Sequence, residues 1–324
     1  MNLFSSFVAT PHSTSNVELK RLSTLSSFAS SSADSITASS TCSNASTTTP
    51  SKNKALNRPF RMTYELLGCL LVSILGYKAS FYLRPLLGHT MRPIPYQKLS
   101  SGEVILDFQL NHPWKQDVTF PGPLLIHSCF TLPFIFLLVF TLAVPMTKPR
   151  LIDTHAAICV LLLSIGISEF VTQACKIYVG RLRPNFYSLC GFDTSTLECT
   201  ASYEHILESR SSFPSGHSSF SMSGMGVIFW FLLGRVGLGI QHTKQNAASR
   251  LSFPCLHQNI VILTSCVPLL YSVLIGCSRL VDYWHHPSDI IAGFIIGLIC
   301  PTISYHLWYV FGASYLLSFT FFYA

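Results

Sequence analysis

Residues 153–175, DTHAAICVLLLSIGISEFVTQAC, run directly into KIYVGRLRP at 176–184, so an apolar stretch long enough to cross a bilayer ends in a cluster of cations and a proline. A span needs about 20 mostly apolar residues. The same test picks out five further windows, about 64–83, 122–146, 217–238, 259–277 and 288–310. Composition agrees, with 49% hydrophobic and only 11% charged residues in 324, against about 25% charged in an ordinary soluble domain. The expected fold class is all-α, an integral membrane bundle of six transmembrane helices occupying residues 61–311.

The ends of the chain differ from this middle. Residues 1–60 begin with a Ser- and Thr-dominated stretch, SSFASSSADSITASSTCSNASTTTP, that has no apolar periodicity able to bury a core, and a disordered cytoplasmic tail is expected there. A short C-terminal tail is expected at 312–324. The net charge of +7 does not point to nucleic acid, because the basic residues are scattered over loops and span ends. No CxxC pair occurs among the 11 cysteines, and most fall inside spans as small packing residues. Cys190 and Cys199 share the loop between spans three and four; they could form a disulfide if that loop faces an oxidising compartment, two free thiols being the other reading.

Lys52, Lys54, Arg58 and Arg61 precede span one, Lys148 and Arg150 join spans two and three, and Arg235, Lys244 and Arg250 join spans four and five. By the positive-inside rule these flanks are cytoplasmic, although Arg84, Arg92, Lys98 and Lys115 lie in the opposite loop. Parity then places the exit of span three, the entry of span four and the turn between spans five and six together on the extracytoplasmic face, extracellular or luminal.

Those three places carry the ionisable residues. A charge at the centre of a membrane helix costs roughly 2.5–3.5 kcal/mol, so charges at span ends usually line a polar cavity. Lys176 and Arg183 would project from one helical face near the end of span three, with Pro184 ending the helix. Arginine offers a planar fork to phosphate oxygens and lysine a point charge. Cations snorkelling to lipid headgroups are the competing reading, and Arg181 is left with it. PSGH at 214–217 opens span four with a helix N-terminus suited to an anion, a hydroxyl at Ser215, close backbone approach at Gly216 and a proton donor at His217. The tetrapeptide alone is also ordinary turn punctuation. In SRLVDYWHHPSD at 278–289, Asp289 lies four residues after His285, so that it could accept the imidazole N–H and leave the other nitrogen free to attack. Arg279 could hold a further phosphate oxygen, and His286, three residues from Asp289, competes for the nucleophile's role.

Jointly, the three motifs resemble the type 2 phosphatidic acid phosphatase superfamily, whose signature is KxxxxxxRP, PSGH and SRxxxxxHxxxD, and every fixed position is filled here. The stretches VGRLRPNFYSLC, ESRSSFPSGHSSFSM and SRLVDYWHHPSDIIAGFIIG look like its eukaryotic lipid phosphate phosphatase branch, with a somewhat long gap from His217 to Ser278. The resemblance implies a phosphohydrolase acting on phosphatidate, lysophosphatidate and sphingoid or ceramide phosphates. His285 would form a phosphohistidine, Asp289 would orient it, and His217 would protonate the leaving alkoxide. Lys176, Arg183, Ser215, Gly216 and Arg279 would stabilise the transferring group, so neither a metal nor another cofactor is expected. The implied partners are lipid phosphates within a plasma membrane or endomembrane, and a homo-oligomer is compatible with the sequence. Alternatives are a lipid phosphotransferase using the same site, a non-catalytic membrane scaffold and an ion channel or transporter.

Overall fold

A computed structural model describes residues 52–143, 149–246 and 254–311. The expected tails at 1–51 and 312–324 lie outside them, as does 247–253 of the loop after span four. Residues 52–60, assigned by sequence to the disordered tail, instead form the start of a helix.

The elements in chain order are α1 (Lys52–Tyr77), α2 (Ala79–Leu87), a hairpin of β1 (Tyr96–Lys98) and β2 (Val104–Leu106), α3 (Gly122–Ile126), α4 (Leu132–Ala143) and α5 (Arg150–Val179). There follow α6 (Phe186–Cys190), a two-residue pair of β3 (Phe192–Asp193) and β4 (Glu198–Cys199), α7 (Tyr203–Ser209), α8 (Gly216–Asn246), α9 (Pro254–Val281) and α10 (Pro287–Tyr305). A π-turn at His127–Thr131 joins α3 to α4 without a break in the helical path.

Among the described residues, five helical stretches are long and apolar enough to cross a membrane: Pro59–Tyr77, Gly122–Ala143, Arg150–Val179, Asn259–Val281 and Pro287–Tyr309. The chain is a multi-pass helical membrane protein. The sixth expected window falls in α8, which is not among these five, and Ser218, Ser219, Ser221 and Ser223 lie in its first turns. All four serines are buried, so they face neighbouring helices rather than lipid. Ser164 and Ser223 hydroxyls pair at 2.7 Å, and the Thr172 hydroxyl donates to Ser219 Oγ at 2.9 Å. Small residues with short polar side chains let membrane helices approach closely and bond across the gap.

Burial ranks the helices. In α5, 67% of the spanning window is buried, against 11% for α1 and 22% for α9, so α5 is central and the other two carry apolar side chains outward. The main apolar cluster joins Leu125 and Leu137 of the α3–α4 rod, Leu161 and Ile165 of α5, and Phe231 of α8 to Ile275 of α9. At the N-terminal end of α5, buried Asp153 accepts from Arg235 at 2.6 Å. At the opposite end sits a small cap of α6, α7 and the short strands, with Leu182, Phe186 and Tyr187 at its centre and a Cys190–Cys199 disulfide.

The contact between α8 and α10 is close. A Cβ on Gly293 would lie 2.6 Å from the Ser215 carbonyl oxygen, and one on Gly297 would lie 2.6 Å from Met222 Cβ. Neither space admits a side chain. Gly297→Leu should lower the unfolding temperature in detergent, with overpacking costing about 1–3 kcal/mol or more; an unchanged midpoint and yield would show that the helices can separate freely.

Candidate active site

Lys176 stands in the last turn of α5. The helix then stops at Gly180, whose φ of 55° is left-handed and whose N–H reaches back to the Lys176 carbonyl at 3.1 Å. Gly180, not Pro184, is therefore the terminator, and Arg183 does not share a helical face with Lys176. The chain turns at Gly180 and runs beside 209–212, with Ser212 N–H donating to the Arg181 carbonyl at 3.0 Å and Arg183 N–H to the Ser209 carbonyl at 2.9 Å. This detour brings Arg183 to the same place by another route.

The Arg183 guanidinium is 2% exposed. Its Nε donates to the Glu208 carbonyl at 2.7 Å and Nη1 to the Trp284 carbonyl at 3.1 Å, while Nη2 pairs with the Glu208 carboxylate. It also lies 4.7 Å from the Trp284 ring centre. Arg279, in the last turn of α9, pairs with Asp282 at 2.9 Å. Asp282 in turn accepts the Thr119 N–H at 2.9 Å.

Ser215 N–H donates to the Asp289 carbonyl at 2.9 Å, and the Ser215 hydroxyl accepts from Ser218 N–H at 3.4 Å, capping α8. A Cβ on Gly216 would lie 3.4 Å from Lys176 Nζ. In the first turn of α8, His217 Nε2–H donates to the Phe120 carbonyl at 3.1 Å. His285 sits in the tight turn between α9 and α10, where its Nδ1–H donates to the Ser212 carbonyl at 2.7 Å. The expected direct bond to Asp289 is absent, since Oδ2 stands 3.8 Å from Nδ1. Asp289, fully buried, accepts instead from Arg181 at 2.5 Å, Ser212 Oγ at 2.6 Å and the His286 N–H at 3.0 Å. His286 Nε2–H is directed to the Leu182 carbonyl at 3.2 Å.

Five of the eight sequence-selected residues, Lys176, Arg183, His217, Arg279 and His285, line one cavity of about 250 Å³, together with Glu208, Trp284, Val118 and Phe120. Gly216 borders it through Lys176, while Ser215 and Asp289 stand behind it. His286 and His112 line a neighbouring cavity of about 400 Å³ that shares only His285 with the first.

Residues 157–312 match the family model described as the PAP2 superfamily. The chain is 33% identical over 219 residues to "Lipid phosphate phosphatase 2" of Arabidopsis thaliana, covering 65% of this chain and 68% of that protein. To "Probable lipid phosphate phosphatase 4" of the same plant it is 31% identical over 219 residues, 65% of this chain and 64% of that one. With "Phospholipid phosphatase 1" of Rattus norvegicus it shares 29% identity over 261 residues, 74% of this chain and 82% of the other. The chain belongs to the PAP2 superfamily. No solved structure matches it.

Within this PAP2 chain, sequence reasoning passed over Arg181, Glu208, Ser212 and Trp284. All four stand in or beside the quoted motifs, but none announces its partner, because each pairs across at least 25 positions. The covering segment is also distinctive. Val118 and Phe120 precede the residues that match the family, yet they line the cavity.

Burial, aided by the Arg183 and Lys176 charges and opposed by Asp289, pushes the His285 imidazole down from its ordinary 6.5 to about 3. For Glu208, burial alone would raise the carboxyl, but the Arg183 and Lys176 charges override it and hold it at about 2. The fold therefore favours neutral His285, whose stabilising contribution is complete above pH 6.5 and is lost as pH falls from 6.5 towards 3. At pH 5 the loss is roughly 2 kcal/mol, at about 1.4 kcal/mol per pH unit. Glu208 works at lower pH, losing its contribution only below about 4.5. Thermal unfolding in detergent should fall from pH 7 to 5 in the native chain and fall less in His285→Gln; parallel curves would refute this origin.

Proposed function

We propose that this protein is a metal-independent lipid phosphate phosphohydrolase with its site on the extracytoplasmic side of a six-span bundle, α8 being the sixth span. The observation that carries the reading is the convergence of Lys176, Arg183 and Arg279 with His217 and His285 on one cavity. A phosphate monoester brings two negative charges and three equatorial oxygens, which is what three cations in a small cavity can match.

His285 Nε2 carries the free lone pair, because Nδ1 holds the hydrogen donated to Ser212. Attack of Nε2 on phosphorus forms an N–P bond and breaks the ester P–O bond. His217 gives a proton to the departing lipid alkoxide, then accepts one from the water that attacks the phosphohistidine and releases inorganic phosphate. Lys176, Arg183 and Arg279 stabilise the oxygens in the pentacovalent transition state, with Ser215 and Gly216 shaping the start of α8 beside them. Loss of one preorganised donor of this kind costs about 2.7–4 kcal/mol. The related proteins' names favour lipid phosphates as substrates, and the substrates proposed here are phosphatidate, lysophosphatidate and sphingoid or ceramide phosphates.

Purified protein in nanodiscs should release phosphate from these lipids with EDTA present, and orthovanadate should inhibit as a five-coordinate mimic. His285→Ala and His217→Ala should each lower kcat at least about a hundredfold while remaining inserted. Activity lost on chelation and restored by magnesium would overturn the fixed-cation mechanism, and a fully active His285→Ala would overturn the nucleophile.

The sidedness rests on the basic flanks at 52–61, 148–150 and 235–250. A disulfide in the cap beside the cavity also suits an oxidising compartment. A cysteine placed at 200–206 in a cysteine-reduced background should react with impermeant maleimide from the extracellular or luminal side. One near 245 should react only after permeabilisation. Labelling of both from one side would mean that α8 does not cross.

A further inference from the structure

A carboxylate that orients an imidazole directly stands about 2.7–3.0 Å from the nitrogen. Asp289 Oδ2 is 3.8 Å from His285 Nδ1, and the single hydrogen on Nδ1 is already given to the Ser212 carbonyl at 2.7 Å. Nor is Asp289 short of donors: Arg181 Nη1 approaches Oδ1 at 2.5 Å, and Ser212 Oγ and the His286 N–H approach Oδ2 at 2.6 and 3.0 Å. Ser212 is the common member. Its side chain donates to Asp289, its carbonyl accepts from His285, and its N–H donates to the Arg181 carbonyl at 3.0 Å. Arg181, Asp289 and Ser212 therefore form a closed ring of hydrogen bonds, and His285 hangs from it by one more.

We propose that Ser212 and Arg181 are positioning residues for His285, and that Asp289 acts on the imidazole through Ser212 rather than by accepting its N–H. The role as nucleophile rests on the phosphatase reading above; the geometry of the relay does not. A carbonyl can only accept, so this arrangement fixes the tautomer with Nε2 unprotonated, whatever replaces the Asp289 carboxylate. Arg181, whose side chain is 32% exposed, anchors the carboxylate from the outer edge through Asp289 and the Ser288 hydroxyl at 2.7 Å.

Two readouts test this on the full chain in nanodiscs. With histidines labelled in ¹⁵N, and the His285 signals assigned by their loss in His285→Gln, the native chain, Asp289→Asn and Ser212→Ala should all show the Nδ1–H tautomer, because the Ser212 backbone carbonyl survives each change. A switch to Nε2–H in Asp289→Asn with no change in Ser212→Ala would establish the direct bond and overturn the relay. In kinetics, Ser212→Ala and Asp289→Asn should each lower kcat about tenfold or more with KM within about twofold, and the double variant should be no worse than the poorer single one. Arg181→Gln should lower kcat in the same way, and Arg181→Lys should recover most of the loss. Native kcat in Ser212→Ala, or multiplicative losses in the double variant, would overturn the proposal. If the native chain hydrolyses none of the lipid phosphates, the phosphatase reading falls while the tautomer measurement still decides the relay.

Discussion

The bond from the Ser215 N–H to the Asp289 carbonyl, 2.9 Å long, ties the beginning of α8 to the first turn of α10. It can form only because Gly293 leaves room for the Ser215 backbone, a distance no side chain would tolerate. With these two helix starts locked together, the turn before α10 delivers His285 and the first turn of α8 delivers His217 to one cavity. The cations come from the end of α5, the segment after it and the end of α9, and they converge because α5 and α9 pack against that same pair.

Three cations beside an apolar bundle are expensive to hold. Removing a charge from water costs several kcal/mol even after relaxation, unless hydrogen bonds and counter-charges compensate. Arg183 is compensated by Glu208, two carbonyls and the face of Trp284, and Arg279 by Asp282 and the Ser278 hydroxyl. Their guanidinium planes are thereby fixed before any anion arrives. Fixed donors need no reorganisation when charge develops on a ligand, which is where electrostatic stabilisation gains its strength.

Much of this was legible in the chain. Hydropathy located five of the membrane-length helices, since a bilayer imposes a length and a polarity that a window can read. It erred on the ends of the first, expected at 64–83 and found at Pro59–Tyr77, because α2 begins at Ala79 after a break that hydropathy does not register. The three motifs named the cavity's cations and histidines by residue type and order. Spacing failed where the backbone departs from a helix: Lys176 and Arg183 are seven apart, but Gly180 turns the chain between them. It failed again at His285 and Asp289, where four residues across a helix start leave the two side chains 3.8 Å apart, too far for a hydrogen bond, and the His285 N–H goes to Ser212 instead. Arg181 read as a surface cation because its partner lies 108 positions away.

The lock between Ser215 and Asp289 has a consequence for the order in which the protein is made. Membrane helices leave the ribosome one after another, and the donor at the start of α8 must wait for an acceptor that emerges some seventy residues later. Until α10 joins, His285 has no wall to stand in and the buried start of α8 has an unanswered N–H. The cavity is therefore absent from every shorter nascent chain. An incompletely synthesised protein would hold arginines and a histidine in the bilayer without assembling them, and its unpaired polar groups would mark it as unfinished to whatever surveys the membrane.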